Sequence, residues 1–113
     1  MTARPERGAF LVAEREGRLA GFLAGSLYQG EFGIDDPRGV IDSFAVTPAA
    51  RHRGVASGLV IALVERWKPK GVSRMETLCR WNDWELLRFF ERVGFRPSAR
   101  LNLERHLGDE RSG

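Results

Sequence analysis

Between Val40 and Lys68 a β-rich run, Val40 to Val46, passes through a basic loop containing Gly54 and straight into an amphipathic helical pattern. That order restricts the fold, because strand and helix must each bury an apolar face against the other. The helix is expected over Val55 to Lys68, where Val55, Leu59, Leu63 and Trp67 recur at i+4 with Val60 and Val64 beside them. Pro69 and Gly71 stop it. Val72 to Cys79 alternates as a strand, and the strand–helix–strand order makes it parallel to the run from Val40.

The flanking sequence completes a mixed sheet. Phe10 to Glu14 and Arg18 to Tyr28 read as strands joined by a tight turn at Arg15-Glu16-Gly17, and Gly30 to Gly39 as a longer connection. With Val40 to Val46 they make an antiparallel meander. Asn82 is expected to cap a second helix, with Glu85 in capping-box position. Leu86, Phe89, Phe90 and Val93 form its buried stripe, and Gly94 suits a left-handed end. Ala99 to Arg105 is expected as a last strand and Gly108 to Gly113 as a frayed tail. The fold class is α/β with a mixed sheet, and residues 1–113 form one domain.

The loop carries the chemistry. The first turn of a helix leaves backbone N–H groups unpaired and bears partial positive charge. Gly54 allows close backbone approach, Ala56 and Gly58 keep the surroundings small, and Arg51 and Arg53 add full charges. Such an assembly suits a pyrophosphate. The P-loop pattern needs Lys-Ser/Thr after its last glycine, which this chain lacks. The dinucleotide fingerprint G-x-G-x-x-G also fails, since only Gly54 and Gly58 are available.

What fits is Arg51-x-x-Gly54-x-Ala56 after a strand ending Ala45-Val46-x-Pro48. This resembles motif A of the GNAT N-acetyltransferase superfamily. A second segment, Asn82 through Phe95 with Phe90-Glu91-Arg92-Val93-Gly94-Phe95 at its end, is similar to the family's motif B. The resemblance covers about Val40 to Arg96, roughly half the chain. Laid on the family's order, the chain starts at the second strand, so a GNAT-like fold without the N-terminal strand–helix–helix segment is expected. The exposed sheet edge and apolar surface that result favour a homodimer.

The resemblance implies acetyl-CoA as cosubstrate. Its pyrophosphate would sit on amides of Arg53, Gly54, Val55, Ala56 and Ser57, assisted by the Arg51 and Arg53 side chains. Its pantetheine arm would pair with backbone groups of Phe44, Ala45 and Val46 in the gap between diverging parallel strands, and Asn82 is a further contact. The implied reaction is direct attack of a primary amine, of a small molecule or peptide, on the thioester. The amine must lose a proton, for which Asp42 is the first candidate base and Glu76 the second; water is the alternative. A backbone N–H near Val46 would stabilise the oxyanion. Many relatives protonate the thiolate with a Tyr; the matching position here is Phe90, which has no proton to give.

Other residues carry less. Cys79 has no nearby His and sits where a small core residue is expected. His52 falls on a variable loop position, His106 has no partner pattern, and no grouping has metal-ligand spacing. Trp81 and Trp84 suit either an acceptor pocket or packing contacts. The net charge of +3 spreads 18 basic residues among 15 acids, which admits an anionic small ligand and disfavours nucleic acid. No apolar run approaches the ~20 residues of a membrane span. The single cysteine and a start without a signal-peptide core agree with a cytoplasmic location. Two alternatives remain open beside the transferase: a coenzyme A-binding module without turnover, motivated by Phe90, and a nucleic-acid-binding domain.

Overall fold

The computed structural model describes residues 8–28 and 37–108. Of the expected connection from Gly30 to Gly39, residues 30–36 lie outside them, and Arg38 and Gly39 already belong to a strand. The tail from 109 onward also lies outside them. The described elements are β1 (Ala9–Arg15), β2 (Arg18–Tyr28), β3 (Arg38–Val46), α1 (Val55–Trp67), β4 (Arg74–Thr77) and α2 (Trp84–Arg92). The sheet order is β1-β2-β3-β4, antiparallel through β3 and parallel between β3 and β4.

Local chemistry explains the connections. Glu16 and Gly17 both adopt left-handed φ, 53° and 76°, which matches the right-handed twist of the flanking strands in a two-residue hairpin. α1 ends because Pro69 offers no N–H; the chain tightens into a 3-10 turn over Lys68–Lys70 and leaves through Gly71 at φ 85°.

One core joins both helices to the sheet. Ala9, Leu23 and Ile41 supply the sheet's share, Leu59, Val60, Leu63 and Trp67 that of α1, and Phe90 that of α2. Each large side chain so buried contributes about 1.5–3 kcal/mol. Trp67, 1% exposed, lies over Gly25 of β2 and Gly39 of β3, where a Cβ would collide with its ring. On the sheet's other face, among the described residues, Phe10, Val12 and Leu19 are exposed, with Phe10 against Phe22.

Three expectations are corrected. The parallel strand is Arg74–Thr77 rather than Val72 to Cys79, because it pairs only with Arg38–Ile41 before the two strands part. The cap of α2 is Asp83, whose Oδ1 accepts from the Leu86 amide at 3.2 Å; Asn82 lies one residue too early, so Glu85 falls short of the capping-box position. Residues 99–105 form no strand. Pro97 lacks an N–H, and the Arg100 N–H donates to Ser98 Oγ at 3.2 Å in a local turn that breaks the extension toward β4.

Candidate active site

The divergence of β3 from β4 creates the site. Their last paired residues are Ile41 and Thr77, and the Thr77 hydroxyl donates to the Ile41 carbonyl at 3.3 Å. Beyond that point β3 continues through Val46 beside β2 alone. The Thr47 N–H donates to the Ala20 carbonyl at 2.8 Å, and cross-strand bonding alternates along an antiparallel ladder. Ala45 therefore bonds toward β2, whereas the backbone groups of Phe44 and Val46 point toward the gap that β4 has vacated.

A cavity of about 1080 Å³ opens on this gap. Phe44, Ala45 and Val46 form one wall, and Arg51, His52, Gly54, Ala56 and Ser57 form the end at α1. A helical turn over Pro48–Ala50 leads into that end, His52 takes φ 63°, and Gly54 takes φ 81° as the N-cap residue. No side chain caps α1. The first intrahelical bond is Gly58 N–H to the Gly54 carbonyl at 2.9 Å, so the amides of Val55, Ala56 and Ser57 have no helical acceptor. A Cβ on Gly54 would meet nothing within 4 Å, so the position is open to an approaching ligand. Unpaired donors, a helix dipole and Arg51 converge on one space, a donor set that fits a pyrophosphate.

The third wall is α2, which motif reading undervalued. Trp84, Arg88 and Arg92 recur at i+4 and line the cavity, as do Asp83, Glu85, Leu86 and Phe89. That spacing was visible in the sequence. Phe44 stacks on Phe89 with centroids 5.5 Å apart and thereby ties β3 to α2. Among the anticipated contacts, Arg53, Val55 and Asn82 do not line the cavity. Val55 packs against the core, and Asp83 takes the place Asn82 was expected to hold.

The candidate bases differ sharply in setting. Asp42 is the extra residue of a β-bulge, between the pairs Ala24–Ser43 and Gly25–Ile41, one position beyond the last β3–β4 pair. It is exposed, lies outside the cavity lining, and accepts from the Ser26 hydroxyl at 2.6 Å. Glu76 is engaged by Arg38 at 3.2 Å, by Arg74 at 3.5 Å and by Arg100. Its lone pairs are committed to guanidinium groups rather than left for an ammonium.

Phe90 is 5% exposed and packs edge-on against Phe89 and Phe95. Burial pushes the half-buried Cys79 thiol above its usual range, with the Asp83 charge adding to the effect, so the reactive thiolate is suppressed. His52 is exposed, and His106 lies 3.9 Å from Glu104. Trp81 and Trp84 are exposed at the start of α2. Among the described residues no group of His, Cys, Asp and Glu could hold a metal ion, and no helix is long and apolar enough to cross a membrane.

Comparison with known proteins identifies the family and the fold. The chain is 33% identical over 95 residues to an L-2,4-diaminobutyric acid acetyltransferase of Nocardia farcinica (strain IFM 10152). That alignment covers 83% of this chain and 47% of the relative, so the chain spans about half the length of the curated protein it matches. Its fold matches an aminoglycoside N-acetyltransferase, AAC(6')-Iy, solved in complex with CoA: TM-score 0.75, 28% identity, covering 89% of this chain and 77% of that one. It also shares the fold of a transcriptional regulator from Bacillus halodurans C-125, at TM-score 0.79 and 24% identity over 92% of this chain and 69% of that one. With residues 2–95 matching it, the chain belongs to the acetyltransferase (GNAT) family.

Proposed function

We propose that this chain, acting as a single domain, is an N-acetyltransferase that moves an acetyl group from acetyl-CoA to a primary amine by direct attack. One observation carries the reading: the uncapped first turn of α1 and the outward-facing backbone of Phe44 and Val46 open on the same cavity. Bound acetyl-CoA supplies the activated thioester. The backbone amides of Gly54, Val55, Ala56 and Ser57, with the Arg51 side chain, are proposed to neutralise its pyrophosphate. Phe44, Ala45 and Val46 take the pantetheine arm as a strand would take a neighbour. The Val46 N–H is proposed to stabilise charge on the carbonyl oxygen, and Asp42, although outside the cavity lining, is the proposed base that draws the proton from the amine.

The acceptor is proposed to be a small molecule or peptide carrying a primary amine, in keeping with the diaminobutyric acid and aminoglycoside acetyltransferases it resembles. A cytoplasmic homodimer is the proposed state. Titration calorimetry with coenzyme A tests the cofactor assignment. Gly54→Glu, which sets an anion where the phosphates lie, is expected to abolish binding while the chain stays folded. Normal binding by that variant would refute the placement.

A second reading, a coenzyme A-binding module without turnover, is favoured by the burial of Phe90 among other aromatic rings, where no proton donor stands. Thiol release from acetyl-CoA across a panel of amines separates the two.

A further inference from the structure

The sheet face opposite Trp67 changes character along its width. Trp67 lies over Gly25 and Gly39, so their neighbours Ser26, Arg38 and Val40 turn to the other side. There Ser26 donates to Asp42, and Arg38 donates to Glu76. Phe10 and Val12 make the β1 side of that face apolar, whereas its β3–β4 side is charged.

On the charged side three guanidinium groups meet one carboxylate. Glu76 Oε1 accepts from Arg38 at 3.2 Å, while Glu76 Oε2 is engaged by Arg74 at 3.5 Å and by Arg100. Arg38 is largely covered and stands 5.0 Å from the Tyr28 ring centroid, but the Arg74 and Arg100 side chains are each 49% exposed. A guanidinium carries five N–H donors, and one carboxylate cannot take those of three. Among the described residues, the cluster holds more positive charge than Glu76 offsets, with donors left over on its two exposed members.

Asp42 stands one step away on the same face. Val40 is in register with Glu76, and Asp42 follows it by two residues, about 6.6 Å along β3. The half-buried Val40 gives an apolar floor between the acid and the guanidinium cluster. Asp42 is also one position beyond the last β3–β4 pair, where the gap proposed for the pantetheine arm opens. An acid, an apolar step and an anion-binding fork, in that order, match an amine joined to a carboxylate by a short aliphatic chain.

We propose that Arg74 and Arg100 bind the carboxylate of the acceptor, so that the chain acetylates amino acids whose reacting amine lies at the end of a short aliphatic chain, in preference to amines without a carboxylate. This rests on the acetyl-transfer reading and narrows its acceptor. Glu76 is then a positioning residue that holds the two exposed guanidinium groups together, and Arg38 anchors it from the covered side. A diamine without a carboxylate would bring a second ammonium to this positive cluster, where like charges repel.

Thiol release from acetyl-CoA is measured with L-2,4-diaminobutyrate, 4-aminobutyrate and 1,3-diaminopropane, the last being the first without its carboxylate. The kcat/KM for both carboxylates is expected to exceed that for the diamine by about tenfold or more. In Arg74→Gln/Arg100→Gln, KM for the carboxylates is expected to rise about tenfold, KM for acetyl-CoA to stay unchanged, and discrimination against the diamine to shrink to about threefold or less. Should the double variant unfold, Arg100→Gln alone carries the test, since Arg100 lies outside the sheet. Equal efficiency on the diamine and its carboxylated counterpart overturns this proposal and leaves acetyl transfer standing. An absence of thiol release with every amine overturns acetyl transfer, and binding then decides the carboxylate site separately. Calorimetry of 4-aminobutyrate with the chain saturated in coenzyme A is expected to show binding that Arg100→Gln weakens about tenfold. No binding, or binding unaltered in that variant, overturns the site.

Discussion

The Trp67 indole rests against Gly25: a Cβ at position 25 would stand 2.7 Å from the ring's Cη2. The bare backbone of β2 is what allows α1 to settle on the sheet. Gly25→Ala is therefore expected to destabilise the chain by about 1–3 kcal/mol. Gly58→Ala, at a helical site with nothing within 4 Å, should instead stabilise it by about 0.4–1 kcal/mol. Thermal unfolding of both variants checks the contrast, and equal shifts would show that the ring does not depend on the glycine.

Asp83 rather than Asn82 starts α2. Asp83→Ala is expected to cost about 1 kcal/mol through loss of the bond to the Leu86 amide, and Asn82→Ala close to nothing. Denaturant titration distinguishes them. A larger loss at Asn82 would restore the assignment expected from motif B.

The meander and the crossover helix were legible because each depends on local signals: the Glu16-Gly17 turn, the i+4 repeat of α1, the stop at Pro69. The early end of β4 was not, since pairing depends on how far the partner strand stays alongside, and nothing within Val72 to Cys79 records that. The cap of α2 was misplaced by one residue because Asn82 and Asp83 are both good capping types, and only the helix register chooses between them. Residues 101–107 show the pattern of a strand without the neighbour that would make it one. Within the site, Arg51, Gly54, Ala56 and Ser57 followed from the loop, whereas Arg88 and Arg92 were not singled out, because the motif drew attention to the buried stripe of the helix instead.

Those two arginines give a prediction about the cofactor. Both face the cavity alongside Arg51, with Asp83 and Glu85 as the acids on the same wall. Substituting either with Ala is expected to weaken coenzyme A binding by about three- to tenfold, and to flatten the dependence of affinity on salt. Calorimetry at two ionic strengths measures both effects. Unchanged affinity would return Arg88 and Arg92 to the solvent.

Asp42 is tested through rate rather than binding. Asp42→Asn keeps a hydrogen-bond acceptor for Ser26 but removes the base. Turnover is expected to fall about 10²-fold or more with KM for acetyl-CoA unchanged. An unaltered rate would mean that the amine's proton leaves through water.

The bare start of α1 has a thermodynamic consequence. Where a serine, threonine, aspartate or asparagine commonly closes the first turn of a helix, this one presents Gly54 with no side-chain cap. On the proposed placement, an arriving diphosphate would complete the secondary structure of its own receptor. Occupancy and folding become one linked equilibrium, and the melting temperature should climb with ligand concentration, following RT ln(1 + [L]/Kd).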